Sequence, residues 1–111
     1  MINNIGLAYK ANKLILGYEN FIKIASTDKF KLIIIAKDCS NNTKKKIYKI
    51  CDIQNIDVLE KFTSMDLSAS LGKRNIKVIC ITDRGFANLI RSQGDWKWRK
   101  KIFIQKTKKI I

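Results

Sequence analysis

Two short apolar runs constrain the fold of this chain more than any other feature. Residues 31–36 read Lys-Leu-Ile-Ile-Ile-Ala, and residues 78–81 read Val-Ile-Cys-Ile. A run of β-branched residues without polar alternation is typical of a strand that is buried on both faces. Segments with helical spacing of apolar residues flank both runs. The sequence therefore predicts an α/β fold, a three-layer α/β/α sandwich with a mixed central sheet and a single domain.

Apolar spacing and capping residues predict where the helices and strands lie. We expect strands over 13–17, 31–36, 58–61 and 78–81. We expect helices over 5–11, 18–25 and 64–71. A further helix is expected to begin at a cap, Ser40 or Thr43, and to end at about Ile53, and a last helix is expected to follow a cap at Asp83. The residues expected to face the core from three of the helices are Tyr18, Phe21, Ile22, Ala25, Ile47, Ile50, Cys51, Phe86, Leu89 and Ile90, with Lys44, Lys45 and Lys49 on an outer face. The domain is expected to span 1–95, with a basic aromatic tail at 96–111.

The balance of charge indicates an anionic partner. The chain has 23 Lys and Arg against 9 Asp and Glu, a formal charge of +14, and seven of the basic residues but no acidic one lie in 96–111. Such an excess is typical of proteins that bind nucleic acid or an anionic membrane surface. No apolar run reaches the ~18 residues of a membrane span. The N-terminus lacks a secretory pattern, so we expect a cytoplasmic protein without stable membrane association.

The residue types behind most catalytic and metal chemistry are scarce. The chain has no histidine, and its three cysteines, Cys39, Cys51 and Cys80, form no CxxC pair. A zinc site would lack its usual ligands, and the commonest general base is missing. We therefore expect reduced thiols packed as small apolar groups, no catalysis, no metal and no cofactor.

The segment 37–46, which follows the first apolar run, is strongly basic. It opens with Lys37 and Asp38, and Lys44 and Lys45 follow near the start of a predicted helix. Lysines at a helix N-terminus oppose the helix dipole, which indicates a role beyond solubility. These cations could contact the phosphates of a nucleic acid. A solvated basic face is the alternative interpretation.

Residues 17–23, Gly-Tyr-Glu-Asn-Phe-Ile-Lys, place a glycine before a short helix. Gly17 allows the backbone to turn and a ligand to approach closely. With the apolar residues toward the core, Glu19, Asn20 and Lys23 share the exposed face and offer an acceptor, an amide and a cation to base edges. The same spacing is equally compatible with a solvated face that carries an i,i+4 ion pair.

The loop 71–77 carries three cations and one isoleucine between a helix and a strand. Lys73 and Arg74 suit phosphate contacts, and the guanidinium group can also stack on a base. Ile76 could make an apolar contact with a base.

These three segments, together with Thr82-Asp83-Arg84-Gly85-Phe86-Ala87, resemble the kink-turn RNA-binding ribosomal protein family, in its bacterial YlxQ-like branch. The resemblance covers about residues 2–91. It implies the three-layer fold of that family, a structured RNA as partner (a kink-turn, possibly in ribosomal RNA), a role at the ribosome or in translation, and no catalysis. We expect the protein to be a monomer.

The resemblance also implies which residues contact RNA. The family motif Gly-x-Asn-Glu-x-x-Lys contacts tandem sheared G·A pairs, and the loop equivalent to 71–77 covers a flipped-out nucleotide. Gly17 and Lys23 match the motif, whereas Glu19 and Asn20 stand in the opposite order, which puts affinity or target preference in doubt because an amide has one acceptor oxygen. The implied RNA surface comprises Gly17, Glu19, Asn20, Lys23, Lys37, Asp38, Lys44, Lys45, Lys73, Arg74 and Ile76.

The tail interleaves aromatic and basic side chains. Stacking and charge would suit it to single-stranded RNA through Trp96, Trp98, Arg99, Lys100 and Lys101. Packing of its aromatic residues on the domain and binding to an anionic bilayer are the alternatives.

Two other functions compete with kink-turn recognition. The first is a basic nucleic-acid or ribosome-surface protein without selectivity, in which the tail supplies most of the affinity. The second is an enzyme or the accessory domain of one, since relatives of this domain serve as substrate-binding modules on RNA methyltransferases. The chain has no GxGxxG or P-loop glycine array and is too short for that catalytic domain.

Overall fold

Helices and strands alternate along the residues that the computed structural model describes, which are 2–25, 27 and 32–92. The elements are α1 (Ile2–Lys10), β1 (Leu14–Leu16), α2 (Tyr18–Ile24), β2 (Leu32–Ile35), α3 (Asn41–Gln54), β3 (Asp57–Leu59), α4 (Ser64–Leu71), β4 (Val78–Ile81) and α5 (Arg84–Ser92). The predicted α/β fold is confirmed, and α4 and β4 have the predicted bounds. The boundary predicted at residue 95 and the tail at 96–111 lie outside the described residues.

The strands form one mixed sheet in the order β1-β4-β2-β3. β4 pairs antiparallel with β1 and with β2, while β2 pairs parallel with β3. Every residue of the two inner strands is at most 3% exposed. Because both faces of β2 and β4 are covered, neither strand needs polar alternation, which accounts for the two apolar runs in the sequence.

Helices cover both faces of this sheet. α1 packs against α4 and α5 in one layer, and α2 and α3 contact the strands from the other layer. The close approach of α1 to α4 depends on Gly6, since a Cβ atom there would lie 3.2 Å from the Ser70 carbonyl oxygen. Asp83 caps α5 as predicted, because its Oδ2 accepts a hydrogen bond from the Phe86 N–H at 2.9 Å.

Two apolar residues that were expected in the core are largely exposed. Ile22 in α2 is 41% exposed and Leu89 in α5 is 40% exposed, whereas their neighbours Phe21 and Ile90 are fully buried. Helical spacing places a stripe of residues toward the core, and positions at the edge of that stripe meet solvent when no other element covers them. The prediction that Ile22 and Leu89 face the core is therefore wrong.

The three cysteines are buried and have free thiols. Burial raises the pKa of the Cys80 thiol to about 12, and burial together with the nearby Cys80 raises that of Cys51 to about 12. Burial also raises the pKa of the Cys39 thiol. The thiols pack as small apolar groups, as predicted.

The residues that the structure describes contain neither a membrane-spanning helix nor a cluster of potential metal ligands. No helix among them is long and apolar enough to cross a membrane. Over the same residues, no group of three or more His, Cys, Asp or Glu side chains is arranged to hold a metal ion.

Replacement of Ile34 by alanine tests the burial of β2. Ile34 is fully buried, so Ile34→Ala is expected to lower the free energy of unfolding by about 3 kcal/mol through lost transfer energy and a residual cavity. Ile53→Ala is the control, because Ile53 is 71% exposed and its loss should cost less than about 0.5 kcal/mol. Urea denaturation followed by circular dichroism measures both. Equal losses would contradict a β2 that is buried on both faces.

Candidate nucleic-acid interface

Three segments of the chain meet at the beginning of β4. The register of the sheet pairs Ile35 at the end of β2 with Val78 at the start of β4. Hydrogen bonds extend the pairing beyond the strands, since the Gly17 N–H donates to the Val78 carbonyl at 2.9 Å and the Ala36 N–H donates to the Lys77 carbonyl at 2.8 Å. The start of α2, the β2–α3 loop and the α4–β4 loop are therefore held side by side.

These segments enclose a cavity, the β4 cavity, with a volume of about 200 Å³. Its volume is below the ~300 Å³ at which pockets for drug-sized ligands begin, so it suits a single planar group. Its wall combines an aromatic ring, hydroxyls, an amide and an ammonium group. The lining residues are Gly17, Tyr18, Cys39, Ser40, Thr43, Asn75, Lys77 and Val78.

The face of α2 that is predicted to contact base edges is exposed beside this cavity. Glu19, Asn20 and Lys23 are all exposed. The Asn20 amide is held in one orientation, because its Nδ2 donates to the Leu16 carbonyl oxygen at 2.9 Å, which leaves Oδ1 available as an acceptor. Gly17 has a φ of 95°, a backbone conformation in which any residue with a Cβ would be strained.

Asp38 binds another loop of the protein. Its Oδ2 accepts from the Ser64 hydroxyl at 2.6 Å, and its Oδ1 accepts from the Ser64 N–H at 2.7 Å. The hydroxyl and backbone hydrogen bonds from Ser64 lower the pKa of the Asp38 carboxyl. The Lys37 N–H donates to the Phe62 carbonyl at 2.8 Å. Asp38 thus positions the β2–α3 loop against the connection between β3 and α4.

Lys44 is tied into the same region. Its Nζ lies 2.6 Å from Glu60 Oε2 and donates to the Lys37 carbonyl oxygen at 2.5 Å. The Tyr48 hydroxyl donates to the other oxygen of Glu60 at 2.5 Å. The expected place of Lys44 on the outer face beside Lys45 is therefore corrected, because the negative charge of Glu60 holds the Lys44 ammonium between two loops.

The remaining cations of the predicted RNA surface differ in their surroundings. Lys23, Lys37, Lys45 and Arg74 are exposed, and their charged groups have no hydrogen-bond or ion-pair partner among residues 2–25, 27 and 32–92. The Lys73 ammonium lies 5.6 Å from the centre of the Tyr9 ring, within the range of a cation–π contact. Four cations of the predicted surface are thus available to an external anion.

Ile76, a predicted RNA contact, packs partly against the core. It is half-buried against the core, and its N–H donates to Ser68 Oγ at 2.8 Å. The neighbouring Asn75 lines the β4 cavity instead. With a φ of 56°, Asn75 occupies the left-handed region, which asparagine tolerates better than most residues.

Some residues at the cavity were missed from the sequence. Tyr18 packs partly against the core, as predicted, and also lines the cavity, whereas Asn75 and Lys77 were not among the predicted RNA contacts of the loop 71–77. The signal available for Asn75 was an asparagine three residues before a buried strand, a residue type that accepts turn conformations. The tail residues predicted to contact RNA, Trp96, Trp98, Arg99, Lys100 and Lys101, lie outside the described residues.

Known proteins share the sequence and the fold of this chain. Residues 2–90 match the Ribosomal protein L7Ae/L30e/S12e/Gadd45 family. The chain belongs to this family. It is 38% identical over 86 residues to the RNA-binding protein YlxQ of Enterococcus faecium, covering 78% of this chain and 82% of that protein. Over 91 residues it is 33% identical to the RNA-binding protein YlxQ of Bacillus subtilis (strain 168), covering 82% and 91%.

A ribosomal protein and a solved structure are also similar. The large ribosomal subunit protein eL30 of Lupinus luteus is 31% identical over 93 residues, covering 81% of this chain and 82% of that protein. A protein of unknown function from Bacillus halodurans C has a structure with a TM-score of 0.79 at 28% identity, covering 82% of this chain and 92% of that one. The resemblance to the YlxQ-like branch of the L7Ae family is thereby confirmed.

The pairing of Asp38 with Ser64 predicts a pH-dependent stability. Because the folded-state pKa of Asp38 lies below its ordinary value of 3.8, its contribution is present above that value and is lost as the pH falls through the folded-state pKa. The drop in melting temperature caused by Asp38→Ala is therefore expected to be larger at about pH 6 than at about pH 3. Scanning calorimetry at both pH values measures it.

Ser64→Ala serves as the matched variant for this experiment. It removes the hydroxyl donor but keeps the N–H that also binds Asp38. We expect a smaller pH-dependent loss from it than from Asp38→Ala. A loss for Asp38→Ala that is the same at both pH values would show that the carboxylate does not stabilise the loop through its charge.

Proposed function

We propose that this chain binds RNA and recognises kink-turn RNA at the ribosome or in translation. Its membership of the L7Ae family supports RNA binding, as do two relatives that are named RNA-binding proteins and one that is a ribosomal protein. The observation that carries the proposal is the β4 cavity, which lies between an exposed polar face on α2 and two basic loops. Base edges, one unstacked base and the phosphate backbone would each meet a suitable group there.

The β4 cavity would take one base that the kink turns out of the stack. Tyr18 and Val78 offer apolar surface to the base, while Thr43 and Asn75 offer hydrogen-bonding groups for its edge. Unstacked bases are recognised in this way, by contact with one face and hydrogen bonds to the edges. The Lys77 ammonium at the wall of the cavity would bind the phosphate of that nucleotide.

The exposed face of α2 would read the paired bases next to the kink. Lys23 can donate to the O6 and N7 acceptors of a guanine, and Glu19 and Asn20 can accept from base N–H groups. Since the Asn20 amide is held by the Leu16 carbonyl, it presents a single acceptor oxygen. We therefore propose that Asn20 takes one hydrogen bond from a base edge rather than two.

Phosphates would be held by the cations that have no partner within the described part of the chain. Lys37, Lys45 and Arg74 meet this condition. The loop that carries Lys37 is bound to the rest of the protein through Asp38 and Lys44. Loops that are ordered before binding lose less conformational entropy in the complex, which favours affinity.

Binding to a kink-turn RNA tests this proposal when it is compared with binding to the same RNA whose sheared G·A pairs are replaced by Watson–Crick pairs. Wild-type protein is expected to prefer the intact kink-turn. Lys23→Ala should reduce that preference about tenfold or more, because a good contact to a base contributes roughly 1–3 kcal/mol of discrimination. Filter binding or calorimetry measures the four dissociation constants.

Lys49→Ala is the control for the loss of one positive charge. Lys49 is exposed on α3 and lies outside the proposed surface. Its replacement should weaken binding to both RNAs alike and leave the preference intact, since the phosphate backbone attracts all cations without regard to sequence. Equal binding of wild-type protein to the two RNAs, with a steep dependence on salt, would instead indicate a basic RNA-binding protein without kink-turn selectivity.

A further inference from the structure

A second and larger concavity lies beside the β4 cavity, between α4 and the α4–β4 loop. It has a volume of about 570 Å³, and we call it the α4 groove. Its lining residues are Ser64, Met65, Ser68, Ala69, Lys73, Arg74 and Asn75. Asn75 also lines the β4 cavity, so the two concavities are neighbours that share this residue.

The apolar part of the α4 groove is unusually exposed. Met65 is 79% exposed, more than any other large apolar side chain of the described residues. Ala69 follows it one helical turn later and is also exposed, so the two residues form a narrow apolar strip on α4. Methionine is flexible and polarizable, and it adapts to flat partners at binding surfaces.

The polar part of the α4 groove is positively charged. Arg74 has no hydrogen-bond or ion-pair partner in the described part of the chain, and Lys73 has only its contact with the Tyr9 ring. No carboxylate lines the groove. The two acidic residues near Ser64 are engaged elsewhere: Asp38 with Ser64 itself, and Asp66 with the Thr63 N–H at 3.4 Å.

The geometry points to an occupant for this groove, and we propose that it binds unpaired nucleotides that continue the RNA strand from the β4 cavity. Met65 and Ala69 would contact a base or a ribose, and Arg74 would bind the adjoining phosphate. The inference rests on the proposed function, because it takes the β4 cavity to hold a nucleotide. Its two supports are the position of the two concavities next to each other at Asn75 and the positive charge of the groove.

A peptide is a weaker match for this groove. Grooves that bind an amphipathic helix offer a row of apolar pockets over several turns, whereas this one has only Met65 and Ala69 as apolar lining. A positively charged groove that follows the backbone is typical of surfaces that bind single-stranded nucleic acid, and Lys73 and Arg74 supply that charge here. RNA is therefore the proposed occupant of the α4 groove, and a groove that binds a peptide instead of RNA would contradict the inference.

The test compares two variants that carry the same change of charge. Met65→Glu places a carboxylate in the α4 groove, and Ile53→Glu places one on α3, where Ile53 is 71% exposed and lies outside the groove. Both sites are exposed, so both variants are expected to fold. The probes are a kink-turn RNA and the same RNA with additional unpaired nucleotides at the kink.

Wild-type protein is expected to bind the longer RNA about fivefold more tightly, since extra contacts to unpaired bases and phosphates add affinity. Ile53→Glu should keep this gain, and Met65→Glu should lose it. With 4-thiouridine in the added segment, cross-links should map to residues 64–75. No gain in the wild type, or the same gain in both variants, would overturn the inference and leave a peptide as the candidate occupant.

The same experiment tests kink-turn recognition separately from the role of the α4 groove. The shorter RNA and its Watson–Crick counterpart decide whether the wild-type protein recognises the kink-turn at all, and no preference there would overturn both. A clear preference for the kink-turn, together with equal behaviour of Met65→Glu and Ile53→Glu on the longer RNA, would overturn only the role of the α4 groove.

Discussion

The candidate interface depends on the antiparallel pairing between β2 and β4. Both strands are fully enclosed, and their register places the end of β2 next to the start of β4. Backbone hydrogen bonds from Gly17 and Ala36 carry the alignment past the strand ends. A slip of one residue would move the end of β2 away from the start of β4 and separate these loops. The burial of the two strands therefore also fixes the position of the candidate site.

The basic side chains of this protein are numerous, and some of them are held in place by other residues while others are exposed. Glu60 holds Lys44 at the start of α3, and the Tyr9 ring lies under Lys73, while Lys23, Lys37 and other cations remain open to solvent. Ion pairs near the surface contribute only about 0–1 kcal/mol to stability. Their value here lies in geometry, because the Lys44–Glu60 ion pair holds two loops in place next to the β4 cavity.

The sequence predicted the elements of this fold well because each carries a local signal. β4 and α4 are bounded by a change of hydrophobic period and by a capping residue, and both signals lie within a few residues. The contacts that shape the site are different in kind: Asp38 binds Ser64, and Lys44 binds Glu60, over separations of 26 and 16 residues. A pattern among neighbouring residues does not predict a contact between residues so far apart in the sequence. Periodicity also could not decide that Ile22 meets solvent, since that depends on which element covers the edge of a helix.

The buried thiols of Cys51 and Cys80 have a consequence for measuring the dynamics of the domain. Only the thiolate attacks alkylating reagents, and with a pKa of about 12 each group stays protonated while α3 is packed on the sheet. Modification of either cysteine therefore requires the helix and the sheet to separate. The rate of modification reports the free energy of that opening, as hydrogen exchange does for backbone amides. The interior of this domain thus contains its own chemical probe of local unfolding.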